Sequence, residues 1–118
     1  MVKKELKILR GDVILVQPDT TIGGEQKGTR PGIVVQNDVG NEFSAITVFV
    51  PLTDAMGKKQ YPFMANIKKG DGGVKKESYA LANQIRVIDK SRILENWGHL
   101  SAEAIAEVDA ALRDELAL

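Results

Sequence analysis

Residues 23–41 read GGEQKGTRPGIVVQNDVGN, which places a glycine-rich polar loop directly before an apolar run. The loop gathers a carboxylate, an amide, a hydroxyl and two cations within the six positions from Glu25 to Arg30. Glycines add conformational freedom, so a loop of this composition costs stability unless it contacts a ligand. We interpret it as a functional loop, and a long polar hairpin loop at the surface is the alternative.

Strand-like runs lie on both sides of this loop. Residues 13–16 form a compact β-branched run, and residues 31–36 follow the loop, so the two runs are predicted to be adjacent strands. Turn-forming residues at 37–44 then precede a third predicted strand, 45–52, which ends at Thr53. The sequence therefore predicts that the polar loop and Thr53 both lie at strand ends.

The second half of the chain predicts further strands and a closing helix. Residues 60–67 and 78–88 alternate between apolar and other side chains, and 93–100 is a short strand or extended link. In 78–88 one face holds only two alanines, Gln84 and Arg86, which leaves room for a ligand backbone to approach. Ser101 is a helix N-cap, followed by apolar residues at three- and four-residue spacing. We predict one domain over 1–118, with 1–9 as a basic lead-in: a mainly β fold with α (α+β), a small SH3-like β-barrel with a C-terminal amphipathic helix.

Composition restricts the chemistry. The chain has no cysteine and one histidine, which excludes disulfides and sites rich in Cys or His. We expect no metal and no cofactor, and the absence of a membrane span or secretory signal predicts a cytoplasmic protein. Residues 1–92 carry fifteen Lys and Arg against ten Asp and Glu, and residues 93–118 carry one against six, giving +5 and −5. A polyanion-binding face or an ordinary acidic helix explains this asymmetry.

Four segments, in the same order along the chain, resemble the MazF/PemK toxins. They read RGDV at 10–13, GGEQKGTRP at 23–31, VQNDVGN at 35–41 and LANQIR at 81–86. Each motif alone is only weakly specific. The resemblance rests on finding all four in the same order and spacing, and it covers 10–118. It implies a barrel of the CcdB/PemK toxin type and a sequence-selective, ribosome-independent endoribonuclease (mRNA interferase) that cuts single-stranded RNA. It also implies a homodimer and neutralisation by a small acidic antitoxin of the MazE/PemI type.

The resemblance assigns the catalytic pair to Arg30 and Thr53, and either a base role or an RNA-binding role to Glu25. RNA cleavage without metal needs a base for the 2′-hydroxyl, positive charge for the phosphorane and donors that hold the phosphate in line. A guanidinium suits a bidentate phosphate clamp better than proton donation, because its pKa lies above about 12. The products are then a 2′,3′-cyclic phosphate and a 5′-hydroxyl. Further candidate RNA contacts are Gln26, Lys27, Asn37, Ser78, Gln84 and Arg86.

Structural alternatives remain open at these positions. Arg30 also fits a solvated cation at a strand entry, and Thr53 a turn cap. We assign His99 and Trp97 to structure, and Asn83 replaces an acidic residue of many members, which leaves base preference open. A second function is also compatible with the barrel, since CcdB-like toxins poison DNA gyrase by binding alone.

Overall fold

The computed structural model describes residues 6–17 and 28–118, so the predicted site residues Glu25, Gln26 and Lys27 lie outside the described residues. Within these ranges the chain forms seven strands and two α-helices. The strands are β1 (Asp12–Val16), β2 (Arg30–Val34), β3 (Ile46–Asp54), β4 (Met64–Ile67), β5 (Ser78–Leu81), β6 (Arg86–Asp89) and β7 (Ile93–His99). The helices are α1 (Asp38–Phe43) and α2 (Ala102–Leu116).

The strands form one antiparallel sheet in the order β4-β5-β3-β2-β1-β7, with β6 also paired to β3. The long β3 connects the two halves of the sheet. Its last residues pair with β5 and its first residues with β6, along the same edge. The predicted mainly β class with a C-terminal helix is confirmed.

Alternation along the strands produces an apolar cluster on each face of the sheet. Val13 contributes to the first cluster and Ile14 to the second, and Val50 and Phe49 divide in the same way. The first cluster is covered by α2, whose buried residues are Ala104, Val108, Ala111 and Leu112. Folding removes the apolar side chains of both clusters from water, and this burial is the main stabilising contribution of these strands.

The helix α2 follows the sequence prediction closely. Ser101 is the N-cap, its side chain accepts a hydrogen bond from the Ala104 N–H, and Glu103 lies in the first turn. Leu100 is buried and Ile105 packs against the same cluster, as expected of residues that flank a helix start. No helix in the described ranges is long and apolar enough to cross a membrane.

Three local predictions were wrong. The 78–88 run is two strands separated by a 3-10 turn, Ala82–Gln84, and both Ala80 and Ala82 are buried in the first cluster. The expected sparse ligand face therefore does not exist there. The strand predicted at 60–67 begins only at Met64, and α1 occupies part of the region predicted as a turn, with Asn37 as its N-cap.

Candidate active site

Arg30 and Thr53 lie at the same end of two neighbouring strands. The β2–β3 register pairs Gly32 with Pro51, Ile33 with Val50 and Val34 with Phe49. Continued for two residues, it would set Arg30, the first residue of β2, opposite Thr53 near the end of β3. Directly opposite residues have Cβ atoms about 4.5–5.5 Å apart and side chains on the same face. The paired residues end at Gly32 and Pro51, so Arg30 and Thr53 each lie two residues beyond them, at the same end of the two strands.

The pair belongs to a longer row of polar side chains across the sheet. Thr53 is paired with Tyr79 of β5, and Tyr79 with Asn66 of β4. We call Arg30, Thr53, Tyr79 and Asn66 the polar row. All four residues are half-buried, so each side chain is partly packed in the fold and partly accessible to solvent.

The polar row continues the face that carries the second apolar cluster. Arg30 pairs on its other side with Val16, a member of that cluster. Gly32 is the next residue of β2 on this face, and a Cβ atom built on it would lie 2.4 Å from Cδ2 of Phe49. The buried Phe49 ring thus packs directly on the Gly32 backbone and fixes the strand that carries Arg30. In the described part of the chain the Arg30 guanidinium has no hydrogen-bond acceptor or ion-pair partner, so it can bind a phosphate.

The Thr53 hydroxyl has a cationic neighbour that the sequence did not suggest. Lys58 Nζ lies 3.0 Å from Thr53 Oγ1 and 2.9 Å from the Asp54 carbonyl oxygen. An ammonium and a hydroxyl therefore meet at Thr53, in the middle of the polar row. Ammonium and guanidinium groups on one face favour an anionic ligand.

The Asp54 carboxylate shapes the turn that follows β3. Its Oδ1 accepts a hydrogen bond from the Met56 N–H at 2.9 Å, and its Oδ2 pairs with Lys76 Nζ at 3.1 Å. The Met56 N–H, and after it Lys76, lower the pKa of Asp54 below its usual range. Asp54 is therefore ionised at neutral pH, where it holds the turn in place.

One predicted RNA contact, Arg86, lies further along the same side of the sheet. Arg86 pairs with Phe49, which shares its face with Thr53, and both Arg86 and Gln84 are exposed. Phe49 and Thr53 are four residues apart, which is about 13 Å along a strand. An extended polyanion can thus contact the Arg30 end and Arg86 on one face.

The other predicted RNA contacts are placed differently. Asn37 caps α1, where its side chain accepts from the Gly40 N–H at 2.9 Å. Ser78 pairs with Asp54 and Ile67, so it lies on the face opposite to the polar row. It is buried and donates to the Lys76 carbonyl at 2.8 Å. The structure does not bring Asn37 or Ser78 to Arg30 and Thr53, and their RNA-binding roles stay predictions.

The histidine and the tryptophan have structural partners. His99 Nδ1 lies 2.8 Å from Oδ1 of the buried Asp12. Asp12 is the first residue of β1, whereas Val16, which pairs with Arg30, is the last. Trp97 packs against the first cluster, and its Nε1 donates to Glu95 at 2.7 Å. Both side chains are thus held by contacts within the fold.

Sequence reasoning missed Tyr79, Asn66 and Lys58. Tyr79 belongs to the alternating run 78–88, and alternation alone does not show where a face leaves the core. Strand pairing, which the sequence did not provide, is what places Tyr79 and Asn66 beside Thr53. For Lys58 the available signal was a glycine in a polar turn directly after the strand that carries Thr53.

Known proteins are similar to this chain in sequence and in fold. Residues 9–116 match the family described as PemK-like, MazF-like toxin of type II toxin-antitoxin system. Over 111 residues the chain is 38% identical to the endoribonuclease EndoA of Bacillus subtilis (strain 168), covering 94% of this chain and 96% of that one. It is 39% identical over 111 residues to the endoribonuclease MazF of Staphylococcus epidermidis, covering 94% and 92%.

The fold is also similar to that in a MazE-MazF crystal structure (Form-II) from Deinococcus radiodurans. The TM-score is 0.75 at 23% identity, over 97% of this chain and 99% of that chain. The family match and both relatives span nearly all of the sequence. The chain therefore belongs to the PemK-like, MazF-like toxins of type II toxin-antitoxin systems.

Proposed function

We propose that this toxin is a metal-independent endoribonuclease that cuts single-stranded RNA by attack of a 2′-hydroxyl on the adjacent phosphate. The observation that supports the proposal is that Arg30 and Thr53 lie at the same end of the paired strands β2 and β3, and that both are half-buried. The endoribonuclease relatives support it, since they share 38% and 39% of the matched residues.

Each group has a chemical role in this reaction. The 2′-oxygen attacks phosphorus as a base removes its proton. The bond between phosphorus and the 5′-oxygen breaks, and that oxygen takes a proton from water, which yields a 2′,3′-cyclic phosphate and a 5′-hydroxyl. Arg30 binds two phosphate oxygens through its planar fork and stabilises the charge that grows on them. Thr53 donates its hydroxyl hydrogen to the phosphate, and Glu25 is the proposed base or RNA contact.

The face around the polar row suits an extended single strand of RNA. Arg86 is exposed further along it. Gln84 is exposed in the 3-10 turn Ala82–Gln84, and Tyr61, three residues before β4, is 46% exposed. The Tyr61 ring stacks on Phe63, with centroids 5.6 Å apart and planes nearly parallel. Aromatic rings of this kind stack on unpaired bases. We propose that sequence selectivity comes from these side chains.

Incubation of the purified toxin with a long unstructured transcript in excess chelator tests the proposed activity. We expect cuts at a restricted set of sites, because base contacts precede chemistry. A parallel supercoiling assay with DNA gyrase tests the alternative, a toxin that acts by binding gyrase. Intact RNA together with inhibited gyrase would replace the proposal by that alternative.

We also propose that the toxin is a homodimer. Large apolar side chains remain exposed on the single chain, among them Phe43 at 79%, Val39 at 70% and Val87 at 55%. A two-fold partner covers such surface and completes a groove for RNA. Light scattering at micromolar concentration should give twice the chain mass of 12.9 kDa. A monomer mass with full activity would contradict this.

The partner of the toxin is proposed to be an acidic antitoxin peptide that occupies the RNA site. Cations on the RNA face, including Arg30, Arg86 and the predicted contact Lys27, attract any polyanion. The similar fold in the MazE-MazF structure supports a protein partner for this toxin. Titrating antitoxin into the toxin bound to labelled, uncleavable RNA should release the RNA completely. Simultaneous binding of both at one site would contradict the competition.

A further inference from the structure

We propose that Lys58 is a positioning residue of the RNA-cleaving site, whose ammonium group orients the Thr53 hydroxyl and adds positive charge beside the phosphate. This inference rests on the proposed function. Lys58 was not among the residues that the sequence predicted for the site.

The first support is the hydrogen bond between the two side chains. A threonine hydroxyl has one hydrogen to donate and two lone pairs to accept with, whereas a lysine ammonium only donates. Lys58 Nζ is 3.0 Å from Thr53 Oγ1, so a lone pair of Oγ1 accepts from it. The Thr53 hydrogen is then directed away from Lys58, and a phosphate oxygen on the polar-row face is the acceptor it needs.

The second support is the charge of Lys58, which its partners do not neutralise. Its two acceptors in the described part of the chain are the Thr53 hydroxyl and the Asp54 carbonyl, both uncharged. Lys76, by contrast, pairs with the Asp54 carboxylate at 3.1 Å. The charge of Lys58 also lowers the pKa of the Asp54 carboxylate, as the smallest of the causes of that shift. In the described part of the chain Lys58 forms no direct ion pair, so its charge can also act on an anion bound at Thr53.

The third support is the turn that holds Lys58. Its N–H donates to the Ala55 carbonyl at 3.1 Å, and its own carbonyl accepts from the Tyr79 hydroxyl at 3.4 Å. Gly57 adopts φ +72, a conformation that favours glycine. The Asp54 carboxylate, which accepts from the Met56 N–H, also holds this turn. The turn thus fixes the backbone of Lys58 beside Tyr79, the residue paired with Thr53 in the polar row.

Stability gives no reason for this arrangement. Lys58 is exposed, and ordering a long exposed side chain costs conformational entropy that an exposed hydrogen bond barely offsets. Lys59, the next residue, is also exposed, but its Nζ lies 5.4 Å from the centroid of the Tyr61 ring. The two lysines carry the same charge in the same turn, and only Lys58 reaches Thr53.

Lys59 therefore provides the matched control. Lys58→Met and Lys59→Met each remove one charge and one donor, so long-range attraction of RNA falls equally in both. We expect Lys58→Met to cut saturating RNA about 10- to 100-fold more slowly in a single turnover, as for a lost hydrogen bond to a charged group. Lys59→Met should keep the wild-type rate at saturation. Melting temperatures should agree among all three proteins.

Chemical rescue separates a positioning role from a structural one. The chain has no cysteine, so Lys58→Cys creates a single thiol that 2-bromoethylamine converts into a lysine-like ammonium side chain. The unmodified variant should be slow, and aminoethylation should return most of the rate. Lys59→Cys, treated in the same way, should change little at either stage.

The outcomes distinguish this inference from the proposed function. Equal saturating rates for Lys58→Met and Lys59→Met, or no recovery after aminoethylation of Lys58→Cys, would overturn the role of Lys58 and leave the RNase proposal standing. A wild-type toxin that does not cut RNA would overturn both.

Discussion

Replacing Arg30 by alanine is expected to lower the single-turnover rate at saturating RNA by about 10²–10³-fold, the usual loss when one charge-stabilising donor is removed from a transition state. Arg30 is half-buried and lies at the same end of the paired strands β2 and β3 as Thr53. Its two parallel N–H groups match two phosphate oxygens, and an ammonium lacks that fork. Arg30→Lys should therefore recover little of the rate, as measured by rapid quench on labelled RNA.

Arg86→Ala is the control for Arg30→Ala. Both remove an arginine from one face, but Arg86 lies several residues further along the strands. We expect Arg86→Ala to weaken RNA binding and to leave the saturating rate nearly unchanged. His99→Ala should also be nearly silent in rate, because His99 lies at the far end of β1. Full activity of Arg30→Ala would show that the chemistry lies elsewhere.

Phe49→Ala is expected to reduce the free energy of unfolding by about 3–5 kcal/mol, as for other large aromatic truncations in protein cores. Phe49 is only 1% exposed and is among the largest fully buried side chains. Its ring packs on Gly32, in the strand that carries Arg30, so the cavity opens beneath the proposed site. Urea denaturation at fixed protein concentration measures the change.

Phe43 offers a matched control, since it is also a phenylalanine but is 79% exposed. At a protein concentration low enough to dissociate the proposed dimer, Phe43 is exposed to solvent, and Phe43→Ala should change the free energy of unfolding by no more than about 0.5 kcal/mol. If Phe49→Ala does not fold, Phe49→Leu keeps most of the volume and should cost less than about 1.5 kcal/mol. Equal stability of Phe49→Ala and Phe43→Ala would contradict the packing described for the second cluster.

Elements with a strong and long pattern were predictable from the sequence. The β-branched run before the polar loop became β1, and the apolar spacing after Ser101 became α2 with the expected cap. Short elements were not predictable. The helix α1 has six residues, and Asn37, which caps it, is as typical of turns as of helix starts. The 3-10 turn at Ala82–Gln84 interrupts an alternation that looked continuous.

The candidate site was predictable residue by residue but not as an arrangement. Arg30 and Thr53 were identified from chemistry and resemblance, yet their placement at the same end of β2 and β3 depends on a strand register that periodicity does not fix. The face of Ser78 depends on the register between β3 and β5, in which Ser78 pairs with Asp54 and lies on the other side of the sheet. Lys58 lies in a turn after β3, and hydrogen-bond geometry alone connects it to Thr53.

The most direct test of the central claim is the chemistry of the RNA ends after cleavage in excess chelator. We predict 2′,3′-cyclic phosphates and 5′-hydroxyls, and no cut at a site where the attacking 2′-hydroxyl is replaced by hydrogen. Cleavage of that 2′-deoxy site, or 5′-phosphate ends, would contradict attack by the 2′-hydroxyl at Arg30 and Thr53.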